Sequence, residues 1–94
     1  MEKFTMHTDP GHGWLEISAA EFKALGLERS QISAYSYFRA LTTGDVYYLE
    51  EDCDAGLVVS ALKASGTPFE IVDLYKENSF IHGLRHIWDD GRLP

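Results

Sequence analysis

The chain has one cysteine, Cys53, and only three prolines, Pro10, Pro68 and Pro94. A lone thiol excludes an internal disulfide and a multi-thiolate zinc site, and it fits a reducing compartment. Basic residues are scarce as well: eight Lys and Arg stand against fifteen Asp and Glu, a formal charge of -7. A surface of that sign repels phosphate backbones and anionic lipid, which argues against direct nucleic-acid binding. No apolar run approaches the roughly 18 residues that a membrane span requires. Met1 to Phe4 lacks the basic-then-apolar start of a signal peptide. The expectation is a soluble, cytoplasmic protein with no membrane partner.

What is present suits a folded chain. Hydrophobic residues make up 45% of the 94, including two Trp, five Tyr and five Phe. That is enough to bury one modest core, so a single domain over residues 1–94 is expected.

The pattern along the chain predicts a short strand over Lys3 to Thr8 and a tight reversal through Asp9, Pro10, Gly11, His12 and Gly13. A second strand follows over Trp14 to Ile17. Ser18 and Glu21 form a capping box in front of a helix over Ala19 to Leu25, with Phe22 and Leu25 inward and Gly26 as its stop. Ile32 to Phe38 and Asp45 to Glu50 read as a second hairpin, joined through Thr42, Thr43 and Gly44. Ala55, Val58, Val59 and Leu62 recur at helical spacing until Ser65 and Gly66. Thr67 to Tyr75 reads as a strand. Ser79 to Trp88 reads as a short last helix ended by Asp89, Asp90 and Gly91. The order ββαββαβ(α) predicts an α+β sandwich, a mainly antiparallel sheet of about five strands with two or three helices on one face.

The most informative stretch is Tyr48-Leu-Glu-Glu-Asp-Cys-Asp-Ala-Gly56, in which Glu50, Glu51, Asp52 and Asp54 surround the cysteine. No Lys or Arg occurs between Arg39 and Lys63, while Asp45 falls in the same gap. Asp52 or Asp54 stands where a helix N-cap belongs, and a carboxylate there faces the positive end of the helix dipole. A calcium loop needs alternating oxygen ligands, a central glycine and a closing glutamate, and Glu50 to Ala61 lacks that layout. Glu50 and Glu51 are neighbours at a strand end and point to opposite faces, so at least one is solvated. Acidic neighbours disfavour a Cys53 thiolate, which points to a small buried residue at the helix start, not a nucleophile.

His82 and His86 have the i, i+4 spacing that lets two imidazoles share a metal on a helix, with Asp89 or Asp90 as a further oxygen. The glutamate of a metalloprotease helix is missing between them. His12 between Gly11 and Gly13 is a turn histidine with no nucleophile tied to it. Tyr35, Tyr37, Tyr47 and Tyr48 lack the interleaved basic residues of a base-stacking sheet, so packing or a protein interface is the expected role. No cofactor and no metal are expected.

Three segments, Asp9-Pro-Gly-His-Gly-Trp-Leu15, Ile32-Ser-Ala-Tyr-Ser-Tyr37 and Val46-Tyr-Tyr-Leu-Glu-Glu-Asp-Cys-Asp-Ala55, together resemble a family of small accessory proteins of phages, prophages and mobile elements. The likeness runs from about residue 5 to 82, with extra residues at Leu41 to Gly44. Small acidic proteins of that origin resemble, in class and not in motif, inhibitors of bacterial defence, including anti-CRISPR proteins that block nucleic-acid grooves. The resemblance by itself implies a shared fold and names no site; with the charge of -7 and the gap in basic residues from 40 to 62, it leads to the expectation of a non-enzymatic inhibitor, a DNA mimic in its charge. Its partner would be a host defence protein with a basic nucleic-acid-binding surface, met in the host cytosol through Asp45, Tyr48, Glu50, Glu51, Asp52 and Asp54. The rival readings are a structural or regulatory phage accessory protein, and a small metal- or His-dependent enzyme.

Overall fold

The structure is a computed structural model that describes residues 1–87. Its strands are β1 (Glu2–Thr8), β2 (Gly13–Ser18), β3 (Tyr37–Leu41), β4 (Gly44–Glu50), β5 (Phe69–Tyr75) and β6 (Arg85–His86). Its helices are α1 (Ala19–Ala24) and α2 (Ala55–Ser65). The strands form one sheet in the order β5-β1-β2-β4-β3-β6, so the α+β class holds with six strands where five were expected. β5 pairs in parallel with β1, and every other pairing is antiparallel. No helix among the described residues is long and apolar enough to cross a membrane.

Local signals fix most of the elements. The Ser18 hydroxyl accepts the Glu21 amide and donates to the Glu21 carboxylate, which closes the start of α1. α2 ends at Gly66, whose φ of 71° lies in the left-handed region that favours glycine. The amides of Gly66 and Thr67 then turn back to the carbonyls of Lys63 and Leu62 and satisfy the last turn.

Two expectations are corrected. The second hairpin is displaced toward the C-terminus: Ile32 to Ser36 is irregular, and β3 starts only at Tyr37. The reason is that side chains claim this stretch's backbone, since the Ser33 amide donates to Asp54 and the Glu50 amide donates to the Ser36 hydroxyl. The last helix does not form over Ser79–Ile87. Phe80–Gly83 is a 3-10 turn capped by the Ser79 side chain, and Arg85–His86 pairs with β3. Gly83 disfavours helix, and an open sheet edge offers Arg85 and His86 better partners. Trp88 and the expected stop at Asp89, Asp90 and Gly91 lie outside the described residues.

Alternation along the strands gives the sheet two apolar faces. Leu15, Ile17, Phe38, Tyr47 and Leu49 pack against Phe22 of α1 and Ala55, Val58 and Leu62 of α2. Trp14 and Tyr48 face the other way and are covered by Ile81, with Tyr37, Val46 and Leu84 around them. The segment after β5 therefore folds back over the face that the helices leave open. This second face carries the candidate site.

Candidate functional site

The site begins with the β1–β2 turn. Asp9 Oδ1 accepts the amides of Gly11 and His12 at 2.9 and 2.8 Å, and the Asp9 amide donates to the His12 carbonyl at 2.9 Å. These bonds hold a turn that pairing of β1 with β2 has already closed. The other oxygen, Oδ2, lies 2.7 Å from Nε2 of His82 on the 3-10 turn. The His82 hydrogen bond holds the Asp9 carboxyl below its usual range, against the opposing effect of burial, with the Gly11 and His12 amides adding to the shift. His12 stacks on Trp14, and His82 meets the same indole edge-on.

Beside this turn opens a cavity of about 470 Å³. The first of the three resemblance segments supplies His12 and Trp14, the second Tyr35 and Tyr37, and the third Glu50, Asp52 and Cys53. His82 and His86 complete the wall, and no lysine or arginine among the described residues lines it. His86 stacks on Tyr37 with ring centroids 4.0 Å apart. The buried atoms Trp14 Nε1 and His86 Nδ1 have no hydrogen-bond partner among the described residues. Residues read from sequence as turn, strand and cap thus share one recess.

The chain matches no family model, no curated protein and no solved structure.

The acidic residues singled out from sequence divide into four groups. Glu51 and Asp52 are exposed, and among the described residues neither is ion-paired with a lysine or arginine. Partial desolvation, then the charges of Asp52, Glu50 and Asp73, raise the Glu51 carboxyl above its ordinary value. Glu50 is buried at the cavity wall, where its carboxylate accepts the Asp52 amide at 2.9 Å.

Asp54 and Tyr48 turn inward, a correction to the expected outward surface. Asp54 is only 3% exposed. It occupies the N-cap position of α2 without capping it, because its carboxylate is committed to the Ser33 amide and to the hydroxyls of Ser33 and Ser36. Tyr48 is fully buried, and its hydroxyl accepts from Arg39 Nη2 at 2.8 Å. Burial, reinforced by the Glu16 carboxylate, pushes the Tyr48 phenol up. Asp45 lies near the opposite end of β4, about 17 Å from Glu50 at the usual rise of a strand. It joins none of the other acids.

Cys53 is exposed where a buried residue was expected. Its position between the end of β4 and the start of α2 leaves it at the cavity mouth instead of under the helix. Local desolvation, then Glu50 and the flanking aspartates, raise the thiol further, so a reactive thiolate is disfavoured. The i, i+4 reading of His82 and His86 needed a helix that does not form, and His82 meets Asp9 and His12 instead. A contact 73 residues apart leaves no local signal in the sequence.

Proposed function

We propose that this protein is a non-enzymatic binding protein, an inhibitor that docks its acidic, aromatic-walled end against the basic nucleic-acid-binding surface of a host defence protein. The observation that carries this reading is the composition of the cavity wall. Glu50 and Asp52 face the same recess as Trp14, Tyr35 and Tyr37, with no lysine or arginine among the described residues that line it. Carboxylates and aromatic faces both attract a lysine or arginine side chain, the first by charge-assisted hydrogen bonds and the second through the ring quadrupole. The exposed pair Glu51 and Asp52 extends the negative field beyond the rim. A protein built to hold phosphates presents the complementary charge.

The reading differs from the sequence expectation in its contact set. Glu50, Glu51 and Asp52 remain, Tyr35 and Tyr37 join, and Asp45, Tyr48 and Asp54 leave. The resemblance to phage accessory proteins supports a defence component as the partner.

The test is affinity capture from host lysate with mass spectrometry, at two salt concentrations and with a double-stranded competitor. The expected partner is a nucleic-acid-binding defence protein that the competitor releases and that higher salt weakens. Glu51→Lys combined with Asp52→Lys should abolish its capture. Capture unaffected by that double reversal, or recovery of phage structural proteins alone, would overturn the proposal, and the latter result would favour the accessory-protein reading.

A further inference from the structure

We propose that Asp9, His12 and His82 form a binding site for one divalent transition-metal ion of the zinc class, with a coordination position left open to the cavity. The inference goes beyond the docking role and stands whether or not a defence protein binds. It rests on three donor atoms, one carboxylate oxygen of Asp9 and one ring nitrogen each of His12 and His82, grouped within 4.8 Å of one another.

A simple turn contact accounts for one histidine and not for two. The 2.7 Å approach of His82 Nε2 to Asp9 Oδ2 is an ordinary hydrogen bond. His12 Nδ1 stands 3.8 Å from Asp9 Oδ1, too far to be one. Around a tetrahedral zinc ion, bonds of about 2.0–2.1 Å to nitrogen and oxygen place neighbouring donor atoms roughly 3.3 Å apart. The two separations are to different oxygens of the Asp9 carboxylate, 2.7 Å to Oδ2 and 3.8 Å to Oδ1, and a shared ion would draw both imidazoles toward one of them.

The surroundings are those of a held ligand set. The Asp9 side chain is 7% exposed, and its Oδ1 is pinned by two backbone amides, which fixes the carboxylate plane and leaves Oδ2 toward His82. Outer-shell bonds of this kind orient metal ligands. Trp14 orients both imidazoles, one stacked at 5.4 Å and one edge-on at 5.2 Å between ring centroids. Two imidazoles and a carboxylate are the donors that zinc, cobalt and nickel share, and they are too nitrogen-rich for calcium or magnesium. Three protein ligands leave a fourth position for water or a donor group of a bound molecule, and His12 and His82 both border the cavity. With Glu50, Glu51 and Asp52 nearby, one divalent ion leaves this end of the molecule negative, so metal and basic partner are compatible.

The experiment is calorimetric titration of the chelator-treated full chain with Zn²⁺, alongside the ligand-field absorption of added Co²⁺. One ion per chain is expected. His12→Ala and His82→Ala, both at exposed side chains, should each weaken binding by at least the roughly 10- to 100-fold associated with loss of an outer-shell partner. Asp9→Asn, which keeps an acceptor for the turn amides, should weaken it as well while circular dichroism shows the fold retained. His86→Ala should leave zinc stoichiometry and the cobalt spectrum unchanged. The proposal is overturned by absence of saturable binding, by equal affinity in the folded His12→Ala and His82→Ala chains, or by loss of the ion in His86→Ala alone.

Discussion

The Ser36 hydroxyl donates to the Asp54 carboxylate and, on its other side, accepts the Glu50 amide, tying the irregular stretch before β3 to both the end of β4 and the start of α2. Asp54 closes the arrangement by accepting the Ser33 amide at 3.0 Å and the Ser33 hydroxyl at 2.7 Å. Among the described residues, a buried carboxylate is thus balanced by hydrogen-bond donors and not by a cation. This one side chain locates the loop that carries Tyr35 and Tyr37 to the cavity.

Replacement of Asp54 should therefore damage the fold more than the surface charge. Asp54→Ala leaves the Ser33 amide and two hydroxyls without their acceptor, at an expected cost of about 3 kcal/mol. Chemical denaturation would show a lowered midpoint. A loss below about 0.5 kcal/mol, the level of an ordinary surface substitution, would contradict the buried role.

Tyr48→Phe should remove the hydroxyl that accepts from Arg39 and cost about 1 kcal/mol, while leaving partner capture intact because the ring is fully buried. Loss of capture with unchanged stability would restore Tyr48 to the contact surface.

Gly13 lies beneath Glu51. A Cβ at residue 13 would stand 2.6 Å from Glu51 Oε2 and 3.0 Å from its carboxyl carbon, and the flexible glutamate would swing outward in preference to a sheet shift. Gly13→Ala is expected to cost about 1 kcal/mol. It should also bring the Glu51 carboxyl back toward its ordinary titration, since partial desolvation is the leading cause of its raised value. A carboxyl-resolved NMR titration reads this directly, and an unmoved Glu51 would refute the packing argument.

The sign of the Glu51 shift gives a pH dependence. Because the folded carboxyl titrates above its ordinary 4.5, the ionised form is disfavoured by folding. The penalty is complete above the folded value and vanishes below about 4.5. Glu51→Gln should accordingly raise the Tm at neutral pH, with the advantage over the parent chain disappearing as pH falls through that window. Thermal scans across the range check it, and a Gln chain less stable than the parent at neutral pH would reverse the assigned sign.

Where the sequence carried local rules, it led to the observed elements. Pro10 and Gly11 mark the β1–β2 reversal, Ser18 and Glu21 start α1, and Gly66 stops α2. Alternation placed Trp14 and Leu15 on opposite faces. At Ile32 to Ser36, β-rich composition misled, because strand propensity expresses a fit to neighbours and here the neighbour was a carboxylate that took the backbone donors. Ser79 to Ile87 misled in the same way: the helical spacing of Ile81 and Leu84 is satisfied by a 3-10 turn that lays Ile81 under Trp14 and Tyr48. Charge density in the Glu50 to Asp54 stretch was evident from sequence, but which carboxylates face solvent was not.

By itself, then, the sequence determined the α+β class, the approximate limits of α1 and α2, the excess of negative charge and the residue types available for binding. Each of these follows from interactions within a few residues or from composition. Tertiary structure decided that β5 joins β1 in parallel, that Asp54 is drawn inside while Glu51 and Asp52 stay out, and that Asp9 meets His82 across 73 residues of chain. Those outcomes depend on which surfaces are covered once the sheet closes, and on donors and acceptors that become neighbours only when distant segments share a face.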